Sequence, residues 1–167
     1  MSESTVLVAG IGNVFLGDDG FGVEVARRLR EMPGLAGARV VDFGTRGHDL
    51  AFALSRCEAA VLVDAIRRGG APGTLYVVEP TPGAPLERKT EHGHSLDPVA
   101  ALELARALGS SPARLLLVGC EPESFGGAEG RLGLSPSVEA AVPEAVRLAA
   151  ALARGLALKE EPCTKPA

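Results

Sequence analysis

Four residues stand where chemistry could be done. Asp18 and Asp19 follow a glycine-rich turn, V-A-G-I-G-N-V-F-L-G-D-D-G-F-G, that runs from Val8 to Gly22. Asp64 ends an apolar run, V-L-V-D, and His94 lies in a loop shortly before a helical pattern. Two carboxylates and an imidazole brought to one edge of a sheet would suit a divalent transition metal that keeps open positions. Each residue also has a plainer account. One aspartate at a helix start is an N-cap worth about 1 kcal/mol, an acid at a strand end often caps a turn, and a loop histidine is commonly solvated. A second carboxylate beside the first adds repulsion, which a metal ion, an arginine or a proton would relieve. Gly20 and Gly22 are poor helix formers in a first turn, so they point to something that needs room against the backbone.

The same turn has the outline of a dinucleotide loop and departs from it. Gly10 and Gly12 match the first two positions of G-x-G-x-x-G, but Phe15 stands at the third, where a side chain blocks helix–strand packing and the approach of a pyrophosphate. A phosphate would meet the helix N-terminus already flanked by two negative charges. Asp42 ends a second strand as in nucleotide binders, yet lone acids at strand ends are common. There is no G-x-S-x-G and no H-E-x-x-H. Cys120 ends a strand and is a candidate nucleophile, although buried cysteine there is usually a small apolar residue. His48 reads as surface or packing.

The elements that must position these residues follow from the pattern of the chain. Residues 5–9, 38–43, 58–64, 74–79 and 114–119 read as strands. Helices are expected over about 20–31, 47–56, 98–108 and 136–156, with Asp97 capping the third, Pro98 at its first position, and a kink at Pro143 in the last. The A-I-R-R-G-G-A-P-G connection after Asp64 is too short for a crossover helix, which predicts that strands three and four are antiparallel neighbours. The alternation predicts a three-layer α/β/α sandwich with a mixed sheet, whose sites lie beyond the carboxyl ends of the strands.

Composition narrows the classes. The chain has 167 residues, 46% of them apolar, and a net charge of −4. That is one domain, placed at 1–157 with a loose tail over 158–167, and no basic surface for nucleic acid. Arg27, Arg28 and Arg30 read as a solvated helix face. The N-terminus lacks a basic leader, and nothing reads as a membrane span. Cys57, Cys120 and Cys163 have no C-x-x-C spacing and cannot all pair, which fits a reducing cytoplasm and argues against structural zinc.

With these residues in view, the chain resembles the nickel-iron hydrogenase maturation endopeptidases. The resemblance rests on G-I-G-N-V-F-L-G-D-D-G-F-G (10–22), V-D-F-G-T-R-G (41–47), L-V-D-A-I (62–66), A-P-G-T (71–74), H-S-L (94–96), V-G-C-E-P-E-S (118–124) and G-L-S-P-S-V (133–138), in order over residues 5–152. It implies a twisted five-stranded mixed sheet between helices, with one antiparallel strand. It implies an endopeptidase that removes a C-terminal extension from the nickel-loaded precursor of the hydrogenase large subunit. Asp19, Asp64 and His94 then fall on the family's metal ligands and carry catalysis. Some family members have glutamate where Asp19 stands, His92 is a competing ligand two residues before His94, and Asp18 is left to capping or support of the site. Nickel is expected to arrive with the substrate rather than reside in the free enzyme, and the chain to act as a monomer. A nickel carrier without peptidase activity is the competing reading.

Overall fold

In a computed structural model, residues 6–80 and 98–158 are described. Among them five strands form one sheet: β1 (Val6–Ile11), β2 (Ala38–Gly44), β3 (Ala59–Ala65), β4 (Leu75–Val78) and β5 (Arg114–Cys120). The spatial order is β2-β1-β3-β5-β4. Among the described residues four α-helices accompany them: α1 (Phe21–Glu31), α2 (Gly47–Leu54), α3 (Pro98–Ala107) and α4 (Pro136–Leu158).

Strand alternation explains the three layers, because successive side chains face opposite sides of a sheet. Val61 and Val63 of β3 join Phe21, Val25 and Leu29 of α1 and a row of small residues of α4 in one apolar cluster. Leu62 and its even-numbered neighbour Ala60 join Leu50 and Leu54 of α2 and Ala101 and Ala105 of α3 in the other. Every residue of β3 is buried, as expected of a central strand covered on both faces. The expected α/β/α sandwich with one antiparallel strand is the observed architecture.

One expectation about neighbours is corrected. β4 is antiparallel, but it pairs with β5, from Leu75 opposite Cys120 to Val78 opposite Leu117. The free edge of β3 is taken by β5, which runs parallel to it from Ala59 opposite Arg114 to Ala65 opposite Cys120. The short connection therefore steps over the end of β5. Backbone bonds from Ile66 N–H to the Cys120 carbonyl (2.9 Å) and from Gly73 N–H to the Glu121 carbonyl (2.8 Å) hold it there. The other elements lie within a residue or two of their expected bounds. α4 continues unbroken through Pro143, whose ring lies on the exposed side. Asp97 and the residues beyond Leu158 fall outside the described residues.

Candidate active site

The turn after β1 is built around Gly12 and Asn13. Gly12 has φ +139°, and a Cβ there would lie 1.8 Å from the Asp19 carbonyl oxygen, so only glycine fits. Its N–H donates to the Gly44 carbonyl at 3.0 Å, tying the turn to the end of β2. The Asn13 carboxamide oxygen accepts the Phe15 N–H at 3.0 Å, closing a local turn. A short 3-10 turn over Gly17–Gly20 then carries both aspartates and leads into α1.

The two aspartates separate in role. Asp19 is 7% exposed, and its Oδ2 accepts the Asn13 N–H at 2.8 Å. It lies within the 3-10 turn and is the N-cap of neither that turn nor α1. Asp18 is 1% exposed and reaches across the molecule. Its Oδ2 accepts from the Glu123 N–H (2.8 Å), the Ser124 N–H (3.0 Å) and the Ser135 hydroxyl (2.9 Å). Its Oδ1 accepts the Ser135 N–H at 2.6 Å. Asp18 is thus a tether that fastens both ends of the β5–α4 connection beside Asp19, not a cap on its own helix.

Asp64 is 2% exposed and sits one residue beyond Val63, which is opposite Gly10 of β1 in parallel register. The carboxyl ends of β1 and β3 are therefore side by side, and the turn that carries Asp19 packs on β3. Asp19 and Asp64 come to the same sheet edge, as their strand positions predicted. By alternation Asp64 continues the Ala60–Leu62 face, the one covered by α3, and His94 precedes Pro98, the first residue of α3, by four positions. His92 and His94 lie outside the described residues. Among the described residues no group of three or more His, Cys, Asp or Glu side chains could hold a metal, so the described part of the site contributes two carboxylates.

Gly22 answers the question about room against the backbone. A Cβ there would lie 2.1 Å from the Val63 carbonyl oxygen and 2.4 Å from that of Ile11. The first turn of α1 rests on β1 and β3 directly, so this glycine serves helix–sheet contact. His48 is exposed on α2.

Cys120 is fully buried. Burial, with the nearby charges of Asp18 and Glu121, pushes its thiol up to about 12, the opposite of an activated nucleophile. Sequence reasoning passed over Glu121. It is 4% exposed and accepts from the Arg68 N–H (2.7 Å), the Gly69 N–H (3.3 Å) and the Tyr76 hydroxyl (3.0 Å). Burial alone would raise its pKa, but the bonds from Arg68, Tyr76, Gly70 and Gly69 outweigh it and hold the carboxyl below its usual range. Glu121 so organises the loop that follows Asp64. The signal was present: it directly follows an apolar strand that ends at the same edge, the rule that picked out Asp64.

The fold and edge define an α/β enzyme-like domain with buried acids at the carboxyl ends of parallel strands. Residues 23–152 match the model of the hydrogenase maturation protease family, and the chain belongs to that family. It is 36% identical over 147 residues to the hydrogenase expression/formation protein HupD of Rhodobacter capsulatus, covering 85% of this chain and 70% of that one. It is 32% identical over 143 residues to the hydrogenase 2 maturation protease of Escherichia coli, covering 84% and 85%. Among solved structures, it is similar to the hydrogenase maturating endopeptidase HybD from E. coli, with TM-score 0.76, 30% identity and 90% and 93% of the two chains covered. A hydrogenase maturation protease HycI from Thermococcus kodakarensis gives TM-score 0.61 at 30% identity, with 94% of each chain covered. Among the described residues, no helix is long and apolar enough to cross a membrane.

Proposed function

We propose that this chain is the endopeptidase that removes the C-terminal extension from the nickel-loaded precursor of a [NiFe]-hydrogenase large subunit. The observation that carries the proposal is the burial of Asp19, in the turn that follows β1, and of Asp64, at the end of the adjacent parallel strand β3, in a chain of the maturation protease family. Nickel here is part of the substrate. Asp19, Asp64 and His94 address it, and hard oxygen donors with one imidazole are chemically suited to that ion. Recognition of nickel delays cleavage until the metal has been inserted, because without it the three side chains have no partner in the substrate. A water held by one of the carboxylates would attack the scissile carbonyl, the carboxylate taking its proton and passing it to the leaving amine as the C–N bond breaks, and the neighbouring cation would stabilise the oxyanion that develops. Asp18 and Glu121 hold the surrounding loops in register and touch no substrate.

The test mixes purified protein with nickel-loaded and with nickel-free precursor and follows the size of the large subunit. Cleavage of the loaded form alone is expected. Equal cleavage of both, or of neither, overturns the reading. Tight, stoichiometric nickel binding by the isolated chain without cleavage would instead favour the carrier.

A further inference from the structure

Away from Asp19 and Asp64, a cleft of about 510 Å³ runs between β2 and α2. Its floor is Leu7, Val41, Phe43 and Ala53, and Phe52 stands on its rim, 57% exposed. Arg39, Arg46 and Arg56 line it against one acid, Asp49. Counted over the lining alone the cleft is cationic, in a chain whose net charge is −4, although Arg56 also lies over the Phe52 ring and Arg46 also bonds the Phe43 and Asp42 carbonyls. Arg46 faces Asp49 at 3.6 Å. Arg39, two residues before Val41 on the same face of β2, is exposed.

The cleft also borders an edge. β2 is the first strand of the sheet, and among the described residues no strand pairs with its outer side. Its outward N–H and C=O groups form a template for an added strand. One end of the cleft, at Phe43 and Arg46, adjoins Gly44, whose carbonyl accepts the Gly12 N–H. The next N–H along, that of Asn13, donates to Asp19. A chain laid along β2 would therefore leave the cleft toward the candidate active site.

We infer that the β2–α2 cleft docks an extended, acidic stretch of the protein substrate, adding it beside β2 with apolar side chains in the cleft and carboxylates against its arginines. The inference rests on the reading of the chain as an enzyme acting on a protein precursor, and it assigns that precursor a second contact besides nickel. Charge complementarity selects an acidic segment over a basic or neutral one, and the strand edge selects an extended segment over a helix.

The test uses Arg39→Glu and Phe52→Ser, neither of which touches Asp19 or Asp64. With nickel-loaded precursor as the probe, each should raise KM about tenfold while kcat stays within about twofold. Added salt should weaken wild-type binding and leave Arg39→Glu nearly unaffected. Binding is measured separately in an Asp64→Asn background, which keeps the cleft and removes cleavage. If wild-type protein binds precursor but does not cleave it, and Arg39→Glu lowers that binding, the docking surface stands while the peptidase reading falls. Unchanged KM and unchanged binding in both variants overturn the docking surface alone. So does a loss of self-association in Arg39→Glu with substrate binding intact, because the occupant would then be a second copy.

Discussion

Asp18 takes four hydrogen bonds from Glu123, Ser124 and Ser135, while the Oδ2 of its neighbour Asp19 accepts the Asn13 N–H within the turn after β1. Adjacent acids that looked alike in the sequence so divide into tether and candidate ligand, and substitution should separate them. Asp18→Asn can place its oxygen where Oδ2 accepts three bonds, but its amide nitrogen then confronts the Ser135 N–H. A loss of about 1–3 kcal/mol is expected for one such unsatisfied buried donor, read as a lower midpoint in urea unfolding. Asp18→Ala, which abandons all four bonds, should lose more. Asp64→Asn should abolish processing while the protein stays folded by circular dichroism, and normal processing by it would remove Asp64 from the site. Cys120→Ala should process at the wild-type rate, because a thiol held at about 12 stays protonated throughout the working range. Glu121 carries a pH signature. Its carboxyl is held below the ordinary value of 4.5 in the fold, so the stability it contributes is present above that value and lost as pH falls through the lower, folded one. Glu121→Gln should flatten the acid limb of a stability-against-pH curve below about pH 4.5.

At the scale of elements, the strands that read most clearly were those buried on both faces. A-A-V-L-V-D-A is an unbroken apolar run up to its acid, and it became the central strand β3. What could not be read was the neighbour of β4. The short connection after Asp64 gave the direction of β4 correctly. Its partner depended on β5, some forty residues farther along the chain, and local spacing carries no information about which strand claims an edge. The long reach of Asp18 was hidden for the same reason, since its donors lie over a hundred positions away. Asp19 and Asp64 were legible because one stands in the turn that leaves a recognisable buried strand and the other at the end of one, where parallel sheets place their sites. Helix–sheet contact gives the prediction at this scale. Gly22→Ala would put a methyl within 2.4 Å of two strand carbonyl oxygens, and backbone on both sides leaves no flexible group to yield. A loss of about 1–3 kcal/mol or more is expected, seen by circular dichroism as a lower melting temperature or as failure to fold. Gly155→Ala, where a Cβ would meet nothing within 4 Å, is the matched control and should be neutral or slightly stabilising.

Across the whole molecule, the candidate ligands come from three separate places: the turn after β1, the end of β3 and the segment before α3. The first two are fixed without any metal, Asp19 by the turn that bonds to it and Asp64 by its place in a fully buried strand. Acids placed by the fold in this way differ from those of a small metal-dependent domain, where metal binding and folding are one event. Here the sheet and its two apolar faces carry the fold. Two carboxylates and one imidazole would leave a divalent ion with open positions, which the proposed reading assigns to groups of the large subunit. The free chain should therefore hold nickel weakly. A ligand stabilises a fold by RT ln(1 + [L]/Kd), so nickel supplied well below its Kd should leave the melting temperature of the free protein unmoved. The Asp64→Asn protein should give the same flat response. Calorimetric titration of the free chain should likewise show no stoichiometric step at micromolar nickel. A saturating rise in melting temperature at equimolar nickel, lost in Asp64→Asn, would instead make the metal a resident of this chain and replace substrate-borne gating by metal delivery.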